Sequence, residues 1–192
     1  MNDFQHSSKR SVTQAPGAAR VKLRRLAQIM RVLSAAYAAW VLWRIVDWWS
    51  NAELVKRGMG HYLKLDLSDL APSQRMAAMG LDLLVWLLLL VAVVYCWKLL
   101  ASLLKDQGFT EAAAHSLMRC AWWALSCQTL TVLSRPLHTW FLTWHLPAAE
   151  QVFRWRFAAT DLQGLLLCLA LLMFAYLFSW VLEVAEENRG FV

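Results

Sequence analysis

The sequence predicts an all-α integral membrane protein with four transmembrane helices in a bundle, and three observations lead there. Residues 162–182 (LQGLLLCLALLMFAYLFSWVL) carry no charge. As a helix this stretch is about 31 Å long, which matches a hydrocarbon core of roughly 30 Å, and it lacks the polar stripe of a soluble core helix. The chain is 59% hydrophobic and 17% charged, with a mean hydropathy of +0.42; soluble domains carry about 45–50% and about 25%. Twelve Trp in 192 residues fit the same class, because the indole collects at bilayer surfaces.

Residues 1–19 are polar and aperiodic and are expected to form a disordered cytoplasmic tail, leaving 20–192 as one membrane domain. From Arg20 a helical pattern sets Leu23, Leu26, Ala27, Met30 and Leu33 on one face and Arg20, Arg24 and Arg31 on another. Residues 1–31 hold seven Lys/Arg against Asp3, so this arm accounts for the whole formal charge of +6. Its fusion to an apolar helix predicts anionic membrane lipid as its partner, and no direct nucleic-acid contact.

The first span is expected at about 30–49. It carries Ala35-x-x-x-Ala39, which permits close helix approach, and then Arg44 and Asp47 at i,i+3 spacing near its outer end. Residues 50–75 read as a loop in which 63–67 alternate with period two, as a strand does. Pro72-Ser73 supplies a helix start, and the second span is placed at about 79–104. Asp82 at its outer end is expected to meet Arg44.

Gly108 suits a helix C′ position, and Thr110 suits the N-cap of the next helix. The third span, at about 117–135, is the most polar. Gln128, Thr131 and Arg135 share one face, which should turn away from lipid. Arg135-Pro136 breaks or kinks it. Residues 153–157 again alternate, so a small two-stranded element with 63–67 can form outside. The fourth span, 162–182, ends in Glu183, Glu186 and Glu187, which oppose the helix dipole and need water or a cation such as Arg31 or Arg119.

Segments placed inside carry more Lys and Arg than those outside, which predicts that both termini are cytoplasmic. No feature points to an enzyme. The sequence shows no G-x-S-x-G pattern or phosphate loop, no histidine mid-span for haem, and no paired loop cysteines; Cys96, Cys120, Cys127 and Cys168 all lie in apolar runs. His138, His145 and Asp161 could be drawn as metal ligands, but loop histidines are common, so neither metal nor cofactor is predicted.

Gly108, Phe109 and Thr110 at the turn between the second and third spans, with AEENRGFV at 185–192, resemble the glycine turn and acidic tail of an uncharacterised bacterial family of four-span membrane proteins, the YoaS-like family. The resemblance implies a bacterial inner-membrane protein for interaction or sensing that holds or releases a small cytoplasmic helix-turn-helix regulator, and it supplies no catalytic residues. Gly108, Phe109, Thr110, Glu183, Glu186 and Glu187 are then the candidate docking residues. Arg44, Asp47, Asp82, Gln128, Thr131 and Arg135 are candidate polar contacts within the membrane. The alternative is a small transporter or channel subunit with a polar path along the third span. A homo-oligomer is compatible with either reading.

Overall fold

The computed structural model describes residues 16–64, 70–105, 110–147, 151, 153–155 and 157–189. Five helices make up the described chain: α1 (Pro16–Ser50), α2 (Ala52–Leu63), α3 (Pro72–Lys105), α4 (Glu111–Thr143) and α5 (Ala159–Arg189). No strand occurs among the described residues. Three helical stretches are long and apolar enough to cross a bilayer: Val21–Ser50, Pro72–Lys105 and Ala159–Ala185. α4 has the length, at 33 residues, but not the apolarity.

Each long helix outruns the span expected of it. Of the expected tail, residues 1–15 lie outside the described residues, and from Pro16 the backbone is already helical. A proline at the first helical position costs no hydrogen bond, because that N–H has no partner inside the helix. α3 starts at Pro72 as read from Pro72-Ser73. α4 runs on through Pro136 to Thr143.

The helices stand antiparallel in an open row. α1 packs on α3, α3 on α4 and α4 on α5; among the described residues α1 and α5 make no extended contact and form the two edges. Side chains reaching neighbouring carbonyls tie the row. Trp86 Nε1 donates to the Ala38 carbonyl at 2.9 Å, Arg31 Nη2 to that of Trp97 at 3.3 Å, and Cys120 Sγ to that of Ala92 at 3.4 Å. Such bonds suit apolar surroundings, where helices gain little from burying Leu against Leu.

The polarity of α4 is absorbed locally. Thr131, Ser134, Thr139 and Thr143 each donate a hydroxyl hydrogen to a carbonyl three or four residues back, at 2.8 Å. This back-bonding lets hydroxyl-rich helix lie against apolar neighbours. It clusters around Pro136, which has no backbone N–H to give.

The connection between α1 and α3 contains a helix that the alternation of 63–67 disguised. Asn51 caps α2, its Oδ1 accepting the Leu54 N–H at 3.2 Å. Lys64 ends it in the left-handed region (φ 58°), donating its N–H to the Gly60 carbonyl. That conformation excludes a strand through Lys64, and 65–69 lie outside the described residues. The expected partner strand does not form either: the Arg154 N–H donates to Thr139 Oγ1 on α4 at 3.2 Å. Arg154 does reach α2, its Nη1 donating at 3.3 Å to the carbonyl of Tyr62, just before the first expected strand, but through a side chain and not a ladder.

α2 folds back on the outer end of α1 because Gly58 leaves room for the Trp48 indole. A Cβ at Gly58 would lie 2.7 Å from Trp48 Cη2; one at Gly164 on α5 would lie 2.5 Å from Gln128 Nε2. The indole is rigid and the amide end of Gln128 is not. Gly58→Ala should therefore destabilise the protein by about 1–3 kcal/mol through overpacking. Gly164→Ala should be near neutral, its helix-propensity gain of about 0.5–1 kcal/mol offsetting a small displacement. Unfolding midpoints in a mild detergent, read by far-UV circular dichroism, should rank them in that order.

Candidate functional site

Two regions bring polar side chains together, one at each end of the row. The inner end, named for the side of the bilayer expected of it, holds the start of α1, the end of α3, the start of α4 and the end of α5. There a pocket of about 240 Å³ opens between α4 and α5. Glu111, His115, Ser179 and Glu183 give its polar lining; Ala114, Met118 and Leu182 give its apolar lining. Thr110 sets this geometry. Its backbone is extended, and its Oγ1 accepts the Ala113 N–H at 3.3 Å, so it caps α4 as the sequence predicts. The cap places Glu111 in the first turn, where the positive end of the helix dipole favours a carboxylate. Ser179 Oγ donates to the Ala175 carbonyl at 3.1 Å, leaving the two carboxylates and His115 to define the slot's chemistry.

Of the expected docking residues, Thr110 and Glu183 meet here, and Glu187 lies one turn further along α5, exposed. Gly108, Phe109 and the side chain of Glu186 lie outside the described residues. Among the described residues, neither cation expected near the acidic tail pairs with it. Arg31 bonds the Trp97 carbonyl, with its Nε buried and unpartnered. Arg119 donates to the Tyr95 hydroxyl at 3.3 Å, with its guanidinium 5.7 Å from that ring's centre.

The outer end is knotted by an arginine–aspartate ion pair and a histidine–aspartate contact. Arg135 on α4 grips Asp161 on α5 through both oxygens, at 2.5 and 2.6 Å. Asp161 also accepts the Ala158 N–H at 2.7 Å, so the same carboxylate caps the start of α5. On the other side of α4, His138 Nε2 lies 3.2 Å from Asp82 Oδ1 on α3 and 3.2 Å from the Ala78 carbonyl. Trp49 on α1 stacks on His138 with ring centres 5.7 Å apart and donates to Asp82 Oδ2 at 2.7 Å. Thus α1, α3 and α4 share one knot, and α4 and α5 share the other. A cavity of about 450 Å³ lies beside them, lined by Met59, Tyr62, Arg135, His138, Thr139 and Ala158.

The expected meeting of Asp82 with Arg44 does not occur. Ala38, Ile45 and Trp49 form the stripe of α1 that faces α3 (i, i+7, i+11), and Arg44 falls off it. Arg44 and Asp47 are both exposed, and no ion pair joins them. The face expected to turn away from lipid at Gln128, Thr131 and Arg135 is taken up by helix contacts. The Gln128 amide lies against Gly164, Thr131 bonds its own helix, and Arg135 holds Asp161. His138, His145 and Asp161 are dispersed, each with its own partner; His145 Nδ1 meets the Gln74 amide at 3.0 Å. No group of three metal-ligating side chains occurs among the described residues.

No family model, curated protein or solved structure matches this chain. The geometry defines its class: a helical protein with three helices long and apolar enough to cross a membrane.

Proposed function

We propose that the protein is an inner-membrane interaction protein that crosses the bilayer four times, keeps both chain ends in the cytoplasm, and docks a basic segment of a cytoplasmic partner between α4 and α5. The fourth crossing is α4. Its bonds to α3 recur along its length, from Cys120 and the Ala92 carbonyl, through Cys127 and that of Val85, to His138 and that of Ala78. This side-by-side packing between two candidate spans supports a crossing alongside them. The Lys/Arg-rich start of α1 supports a cytoplasmic position for the inner end.

The observation that carries the docking reading is the slot itself, in which Glu111, His115 and Glu183 converge at the end of the molecule bearing the turn and tail. At about 240 Å³ it falls below the roughly 300–1,000 Å³ of small-molecule sites and fits one long cationic side chain. Resemblance to the YoaS-like family makes a small helix-turn-helix regulator the first candidate for its owner. The test uses purified protein in nanodiscs titrated with a fluorescent Lys/Arg-rich peptide. Glu111→Gln with Glu183→Gln should weaken binding at least about ten-fold, or about 1.4 kcal/mol. Unchanged affinity would sink the docking reading.

A further inference from the structure

We infer that the protein self-associates head to tail in the membrane, the α1 edge of one copy seating on the α5 edge of the next. Among the described residues both edges are unpartnered, and α3 and α4 stand between them, so one copy cannot bring its own two edges together. Exposed apolar surface alone would not demand a partner, since lipid solvates it as well as protein does. The complementary polar ends of the two edges are what select one.

The outermost stripe of α1 reads Lys22, Arg25, then Ile29, Val32, Ala36, Trp40 and Trp43, then Asp47, all exposed. The outermost stripe of α5, from the same inner end, reads Glu187, then Trp180, Leu177, Met173 and Leu166, then Gln163, also all exposed. The row's own bonds fix their relative levels. Arg31 sits level with Trp97, Cys120 with Ala92, Gln128 with Gly164, and Arg135 with Asp161. Carried across the row, these matches put Arg25 level with Glu187 and Asp47 level with Gln163.

A second copy set edge to edge therefore offers a carboxylate to the cations at the inner end and an amide donor to the carboxylate at the outer end. The bulky Met173 meets Ala36 between them. Opposite charges at matched depth fix the register of the contact. The contact is heterologous, joining different faces of the two copies, so it builds a ring if the rotation closes and a chain if it does not.

Crosslinking in membranes tests this. Differently tagged copies carrying Ala36→Cys or Met173→Cys are co-expressed and treated with a short bis-maleimide, with the unsubstituted protein controlling for its own cysteines. The expected product is a mixed dimer, and the chain carrying both substitutions should give a ladder. Dimers from Ala36→Cys alone would mean a two-fold contact, and products holding only foreign proteins would mean another occupant; either result, or no product, overturns the inference. Arg25→Glu should cut the yield about ten-fold, Glu187→Arg likewise, and their combination should restore it; a double variant as poor as the singles also overturns it. None of these residues lines the slot between α4 and α5, so peptide binding there can fail or succeed independently.

Discussion

Arg135→Leu is expected to cost about 3–5 kcal/mol of stability, the range for removing one partner of a buried ion pair. Asp161 is the partner left behind, and its side chain is only 4% exposed. Once the guanidinium is gone the carboxylate keeps a single donor, the Ala158 N–H, where it had three. The opposite substitution is milder. Arg135 is 35% exposed and long enough to carry its charge toward the surface, so Asp161→Leu should cost about 1–2 kcal/mol, part of it the lost cap on α5. Replacing both residues by leucine should recover most of the larger loss, because no charge is then left buried. Unfolding midpoints along an SDS titration in mixed micelles give all three values. Equal and additive losses would show that the two side chains are not coupled.

The parts of this fold written in the sequence are those set by one-dimensional pattern. Residues 162–182 lie inside α5, Pro72 opens α3 and Thr110 caps α4, because uncharged length and cap chemistry are local properties. Asp82 was legible as a polar site but not its partners. Depth along a helix follows from counting residues, whereas the direction a side chain faces depends on which stripe meets the neighbour, and α1 turns Trp49 toward α3 and Arg44 away. α2 was missed although Asn51 at its cap, Glu53 in its first turn and His61 in its last are helix signals. Gly58 and Gly60 lower its intrinsic propensity, and its stability comes from burying Val55 and Leu63 and from Gly58 receiving Trp48. The expected strand at 153–157 failed for a related reason: period-two alternation says which residues share a face, not what the backbone bonds to, and Thr139 supplied an acceptor on a helix. The inner slot was half legible. Both of its acids were singled out or adjacent to residues that were, but only the antiparallel packing of α4 on α5 brings Glu111 to Glu183.

Asp82→Ala should cost about 1–3 kcal/mol, the penalty for leaving a buried donor unsatisfied. Two groups lean on this carboxylate. Trp49 is 2% exposed, and its Nε1–H has Asp82 Oδ2 as its one acceptor; His138 keeps the Ala78 carbonyl when Asp82 is removed. Because Asp82 Oδ1 and that carbonyl are both acceptors, Nε2 carries the ring proton, so the histidine loses one of two partners where the indole loses everything. The indole therefore dominates the cost, and a double-mutant cycle isolates it. In a Trp49→Phe background no donor is left to strand, and Asp82→Ala should cost less there by about 1 kcal/mol, the net worth of one hydrogen bond. An identical cost in both backgrounds would remove Trp49 from the knot. Asp82→Asn should fall between wild type and alanine, since its amide oxygen can still accept from Trp49 while its amide nitrogen opposes the His138 N–H. Because this knot is where α1, α3 and α4 meet at the outer end, Asp82→Ala should also loosen α1 from the row, and with it the edge on which head-to-tail association depends. Its effect on the Ala36–Met173 crosslink should then track its loss of stability.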